Sequence, residues 1–150
     1  MMTKEGIYTP SITYEIEPAF EKYCKGKTFL DLGSGNGQIL GLAFKYGSVV
    51  TGIEIEKDFY ENSQFKEYVM NDDMFKSAWG VHDILYYYLK GCKDEDRIVE
   101  KLNEEARDYF FLYTNGSNQS EINRFTKNLK CKLIESNNHL YIFRFHYSST

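Results

Sequence analysis

The chain has 150 residues and a formal net charge of −4 at pH 7, which fits one domain, 1–150, able to bury ~68–70% of its unfolded surface without a disulfide or metal. Cys24, Cys92 and Cys131 form no C-x-x-C pair and His82, His139 and His146 show no ligand spacing, which argues against a structural metal and for a reducing, cytoplasmic setting. No apolar run approaches the ~18 residues of a membrane span, the N-terminus lacks the apolar core of a signal peptide, and dispersed Lys and Arg argue against non-specific nucleic-acid binding while leaving room for a local basic groove.

In chain order, strand-like runs alternate with helical periods, the sign of a parallel α/β sheet. A short helix is expected over 18–23, with Pro18 in its opening turn and Gly26 after it. A strand follows over 27–32 and then a helix over 37–46. In that helix Ile39, Leu42, Ala43 and Tyr46 make one face, and Gly47 is the stop. The β-branched segment 49–54 reads as a strand covered on both faces. A short helix over 57–65, a brief strand over 68–70 and a strand over 82–87 come next.

Residues 94–107 carry the clearest helical period, with Ile98, Val99, Leu102 and Ala106 inward. Asp94, Glu95 and Asp96 complement the helix dipole at its start, and read as a helix N-terminus rather than a metal site. A strand over 109–114, an Asn115-Gly116 turn and a helix over 120–128 lead to two final strands, 131–136 and 139–147, joined at Asn137-Asn138. Five parallel-type strands closed by a hairpin make a mixed sheet with one antiparallel strand.

Asp31-Leu32-Gly33-Ser34-Gly35-Asn36-Gly37 stands between the first strand and the second helix. Glycines serve where the backbone takes positive φ or lies against a ligand. The dinucleotide fingerprint wants G-x-G-x-x-G, but this loop reads G-x-G-x-G, with Gln38 at the third position. Asp31, two residues before the first glycine, would repel a pyrophosphate and attract a cofactor bearing an ammonium and a sulfonium. S-adenosylmethionine has both charges and NAD has neither.

Glu54 closes the second strand 21 residues after Gly33, where a carboxylate can accept from both hydroxyls of a ribose. Asp73 can accept from an adenine amino group, with Asp72 competing at the same turn. Met74, Phe75, Ile53 and Ile55 can wall the ring. The fourth strand exits through Tyr86-Tyr87-Tyr88-Leu89, where a methyl acceptor would sit. Tyr87 and Tyr88 are the candidate catalytic residues, shaping a slot and stabilising cationic charge, with Tyr86 divided between core and site. Asp83 starts that strand, at the far end. No Asn-Pro-Pro-Tyr or Asp-Pro-Pro-Tyr is present, which counts against the usual amino-methylating enzymes of DNA.

The glycine loop, the Gly52-Ile53-Glu54 strand end, the acid at the third turn and the terminal hairpin resemble class I S-adenosylmethionine-dependent methyltransferases over nearly the whole chain. Tyr8-Thr9-Pro10-Ser11, the run from Asp31 to Ile39 and the Tyr-Tyr-Leu exit are similar to a group of small lysine methyltransferases. That group has archaeal members and includes the mitochondrial enzyme acting on an ATP-synthase c subunit. It usually has Asp and Arg where this chain has Asn36 and Gln38. The resemblance implies a single-domain Rossmann-like sheet, S-adenosylmethionine as cofactor and a protein lysine as acceptor. It also implies that Tyr8 and Thr9 fold over a cofactor held by Asp31, Gly33, Ser34, Gly35, Gly37, Glu54, Ile55, Asp73 and Met74. Read from the residues alone, segment 8–11 is an extended arm. Alternative readings are a small-molecule methyltransferase, a catalytically silent S-adenosylmethionine-binding protein and, remotely, an NAD-dependent oxidoreductase.

Overall fold

β-branched and aromatic runs form the strands, and the segments of helical period cover them on both faces. The structure, a computed structural model, describes residues 2–3, 6–7, 11–90 and 94–145, with side chains from residue 14 on. Tyr8 and Thr9 lie outside the described residues. A small antiparallel ribbon pairs β1 (Met2–Thr3) with β2 (Gly6–Ile7).

Helix α1 (Ser11–Tyr23) then leads to β3 (Thr28–Leu32), α2 (Gln38–Lys45), β4 (Val49–Ile53), α3 (Lys57–Glu61) and β5 (Val69–Met70). The second half runs β6 (Ile84–Tyr88), α4 (Glu95–Glu105), β7 (Tyr109–Tyr113), α5 (Gln119–Thr126), β8 (Cys131–Asn137) and β9 (Leu140–Phe145). The seven strands from β3 onward form one sheet in the order β5-β4-β3-β6-β7-β9-β8. The pairs from β5 to β7 are parallel, and β9 is antiparallel to both of its neighbours. The expected Rossmann-like sheet with an antiparallel C-terminal hairpin is therefore present. Asn138, at φ 52, makes the hairpin turn. Strand order reverses between β3 and β6, and in open α/β sheets ligands bind beside such a point, at the carboxyl ends of the strands.

Two cores flank the sheet. On one face Ile16 and Phe20 of α1 and Leu40 and Ala43 of α2 pack on Phe29, Tyr86, Phe111 and Tyr113. On the other, Ile98 and Leu102 of α4 and Ile122 and Phe125 of α5 pack on Leu30, Leu85, Phe110 and Leu112. Among the described residues no helix is long and apolar enough to cross a membrane.

Three elements differ from the sequence expectation. Helix α3 ends at Glu61 rather than at residue 65. Helix α1 starts at Ser11, which puts Pro18 in its interior. An interior proline costs ~3 kcal/mol, but Ile16, Ala19 and Phe20 are buried on this helix. At ~1.5–3 kcal/mol for a fully buried large side chain, that stripe outweighs one missing hydrogen bond. In α2 Leu40 is fully buried, whereas Ile39 and Tyr46 are only partly so.

The cause is Gly52 on β4. A Cβ there would lie 2.7 Å from both Leu40 Cδ1 and Ser34 Cβ, so the bare backbone lets α2 and the glycine loop press onto the sheet. Gly52→Ala is expected to cost ~1–3 kcal/mol by overpacking. Denaturant unfolding checks this, and a wild-type midpoint would show that the loop yields.

Candidate functional site

The strand-to-helix loop turns through Gly33, Gly35 and Gly37 at φ 86, 55 and 90. The N–H groups of Gly33 and Ser34 both donate to Ile53 O at 2.9 Å, which fixes the loop against the end of β4. Glu54, the next residue, is 6% exposed. Its Oε1 accepts from the Gly35 N–H at 2.7 Å and its Oε2 from the Glu56 N–H at 3.0 Å. One carboxylate thus joins the glycine loop to the loop after β4. Since a carboxylate has about four lone-pair sites, acceptor capacity remains.

The loop after β5 is tied to the same place, because Asn71 Nδ2 donates to Glu54 O at 2.8 Å. Asp73 Oδ1 accepts from the Phe75 N–H at 3.0 Å, and Asp72 Oδ1 from the Asp73 N–H at 2.7 Å. Met74 O accepts from Trp79 Nε1 at 2.9 Å, which holds Met74 and Phe75 in place. Arg97 of α4 lays its guanidinium 4.0 Å from the Phe75 ring centroid.

These loops enclose a cleft of about 480 Å³ at the carboxyl ends of β3, β4, β5 and β6. Of the residues expected at the site, Gly33, Gly35, Glu54, Ile55, Asp73, Met74 and Tyr87 line it, and Asp72 lines it beside Asp73. Asp31, Ser34 and Gly37 do not. Asp31 lies inside the sheet, paired with Gly52 on one side and Tyr86 on the other. It is 2% exposed, and among the described residues nothing hydrogen-bonds its carboxylate. Burial pushes that carboxyl up to about 7. The Lys90 charge opposes the rise and the Glu54 carboxylate adds to it. Ser34 Oγ is buried without a partner among the described residues, and Gly37 precedes α2.

The three tyrosines of β6 go to different places. Tyr86 is buried in the core, beside Asp31 on the neighbouring strand. Tyr87 is 4% exposed, donates to Glu95 Oε2 at 2.6 Å and stacks on Phe125 at 5.7 Å, so it anchors the start of α4 while its ring lines the cleft. Tyr88 lines a separate, smaller pocket and donates to Asn115 O at 2.6 Å. Asp83 holds the opposite end of the sheet, its Oδ2 accepting from Thr28 N and Oγ1, each at 3.0 Å.

Phe59, Lys90 and Arg97 also line the cleft, and sequence reasoning missed all three. Lys90 had a usable signal, since any residue just after a central strand lies at this edge of the sheet. Arg97 had none, because its place depends on how α4 leans over Phe75. In total the cleft is lined by five carboxylates (Glu54, Glu56, Asp72, Asp73, Asp94) and two cations (Lys90, Arg97). That balance suits a cationic ligand.

No family model matches the sequence, and no curated protein matches it significantly. Solved structures do match its fold. The magnesium protoporphyrin IX methyltransferase of Synechocystis PCC 6803, determined with bound S-adenosylmethionine, is similar at TM-score 0.72 and 13% identity, over 91% of this chain and 79% of that one. The tRNA (m1A58) methyltransferase of Aquifex aeolicus is similar at TM-score 0.70 and 14% identity, over 99% and 73%. An RNA methyltransferase of Salinibacter ruber, in complex with S-adenosylhomocysteine, is similar at TM-score 0.65 and 15% identity, over 93% and 92%. The chain has the Rossmann-like fold of these methyltransferases.

Proposed function

We propose that the chain is an S-adenosylmethionine-dependent methyltransferase, acting as one cytoplasmic domain over 1–150. The observation that carries this reading is the acid-rich cleft at the switch point of the sheet, with Glu54 joining the glycine loop to the loop after β4. A pyrophosphate would meet five carboxylates there, which speaks against a dinucleotide. The fold shared with structures holding S-adenosylmethionine or S-adenosylhomocysteine supports the same cofactor.

In this reading Glu54 accepts from the ribose hydroxyls with its remaining lone pairs. Asp31 supplies negative charge beneath the cationic end of the cofactor. Asp73 takes the adenine amino group, with Ile55 and Met74 against the ring. Gly33, Ser34, Gly35 and Gly37 give the backbone its close approach, and Tyr8 and Thr9 cover the cofactor as the family resemblance implies. When bound, the cofactor supplies a methyl carbon whose bond to sulfur breaks as the acceptor's lone pair attacks, the bonding pair staying on sulfur and any acceptor proton leaving to water. The protein's task is to hold nucleophile, methyl and sulfur in line. Tyr87 and Tyr88 frame the acceptor side.

Two acceptor readings have separate support. A protein lysine follows from the resemblance to small lysine methyltransferases. A small molecule is favoured by the pocket of about 280 Å³ that Tyr88 lines. Thermal unfolding tests the cofactor. S-adenosylhomocysteine at ~100 times its dissociation constant should stabilise the protein by ~2.7 kcal/mol. Stabilisation by NAD alone would sink the reading.

A further inference from the structure

Lys90 lines two cavities, the acid-rich cleft and the pocket of about 280 Å³ at the exits of β6 and β7. Among the described residues no other side chain is common to both. Three other polar side chains of the smaller pocket have partners within the protein. Tyr88 donates to Asn115 O at 2.6 Å, and Ser117 Oγ donates to Leu89 O at 3.0 Å. Glu121 Oε1 accepts from the Asn118 N–H at 3.1 Å in the capping box of α5, where the positive end of the helix offsets its charge.

Lys90 differs. Among the described residues its ammonium makes no hydrogen bond or ion pair, and Nζ lies 5.7 Å from the Tyr88 ring centroid. An ammonium offers three donors and no acceptor. At this position it attracts a carboxylate or phosphate and repels an acceptor that is itself an ammonium. A cationic cofactor in the adjoining cleft would strengthen the selection, because a second cation in the pocket would then face two positive charges.

We propose that the pocket beyond Lys90 takes a small methyl acceptor bearing a negatively charged oxygen group, a carboxylate or a phosphate, with Lys90 as its counter-ion. The proposal rests on the methyltransferase reading above and names the substrate class of that same site. Lys90 is a specificity-determining residue here. It touches the charged group of the acceptor and takes no part in the transfer, in which the acceptor's nitrogen or oxygen bonds the methyl carbon and the sulfur keeps the pair.

The test incubates the protein with methyl-labelled S-adenosylmethionine and a lysate separated by ultrafiltration into small molecules and proteins. Label should enter the small-molecule fraction in a product retained by an anion-exchange resin. Release of the charge by a phosphatase distinguishes phosphate from carboxylate. Loss of a charged hydrogen bond is worth ~1.5–3 kcal/mol, so Lys90→Met should lower the labelling rate by about tenfold or more, and Lys90→Arg should fall between. Because Lys90 also lines the cofactor cleft, calorimetry with S-adenosylhomocysteine is run on both variants. Labelling should fall by more than cofactor affinity does, and an equal fall in the two would place Lys90 at the cofactor and overturn the proposal.

Label on protein lysines, a product that passes through the resin, or wild-type labelling by Lys90→Met would overturn the proposal. A protein that binds S-adenosylhomocysteine but labels nothing also overturns it, and leaves the cofactor assignment standing. A protein that does not bind S-adenosylhomocysteine removes both.

Discussion

Asp31→Asn is expected to stabilise the protein at alkaline pH and to impair cofactor binding. Asp31 is 2% exposed, and among the described residues no hydrogen bond compensates its charge. Folded, the carboxyl keeps its proton up to about pH 7, whereas its ordinary value is 3.8. A group whose pKa is raised by folding contributes stability that is complete below the unfolded pKa and is lost as pH rises through the folded one. By pH ~8 the ionised carboxylate costs about 4 kcal/mol relative to its protonated form. The neutral amide escapes that cost, so Asp31→Asn should gain ~2–4 kcal/mol at pH ~8 and little at pH ~4. Denaturant midpoints at the two pH values decide it, and an equal gain at both would show that the charge is not the cause.

Binding should respond in the opposite sense. A cationic cofactor favours ionised Asp31, so wild-type affinity should rise with pH up to about 7 and then level off, with proton uptake by buffer on binding below that point. Asp31→Asn should bind S-adenosylmethionine about tenfold or more weakly, with a flat pH profile. In the proposed function the buried acid would lower stability in return for affinity, as strained or desolvated groups at functional sites commonly do.

Much of this was legible in the sequence because the strands here carry their own signal. The Asp31–Gly37 loop, the β-branched run of β4 and the Asn137-Asn138 turn each specify local backbone geometry through residues a few positions apart, and the sheet follows from them. Helix α1 was cut short because Pro18 dominates a local reading, whereas the burial of Ile16 and Phe20 is decided by partners on β3, β6 and β7. The site divides in the same way. Glu54, Asp73 and Met74 are placed by their strands. The separation of Tyr87 from Tyr88 follows from strand alternation, but their hydrogen-bond partners, Glu95 and Asn115, belong to a later helix and a later loop. Lys90 is placed by the exit of β6, whereas Arg97 reaches the cleft only through the lean of α4, for which no short-range pattern exists.

Glu54→Ala is expected to have the larger effect on cofactor affinity, because Glu54 performs two tasks with one carboxylate. It accepts from the Gly35 and Glu56 N–H groups, and in the proposed complex also from the ribose. Loss of a hydrogen bond to a charged group costs ~1.5–3 kcal/mol, so the ribose contact alone predicts ~10–100-fold weaker binding of S-adenosylhomocysteine. Release of the two amides should add ~1–3 kcal/mol of lost stability, seen without ligand.

Glu54→Gln separates the two tasks. Its carbonyl oxygen can still accept from Gly35, but its amide nitrogen then meets the Glu56 N–H donor to donor, so the variant should be intermediate in stability. A 2′-deoxy analogue of the cofactor isolates the ribose term, since the penalty of Glu54→Ala should shrink when the hydroxyl it serves is absent. An undiminished penalty would assign Glu54 to the loop alone. The ribose would then have to find its acceptor elsewhere in the cleft, at Glu56 or Asp72.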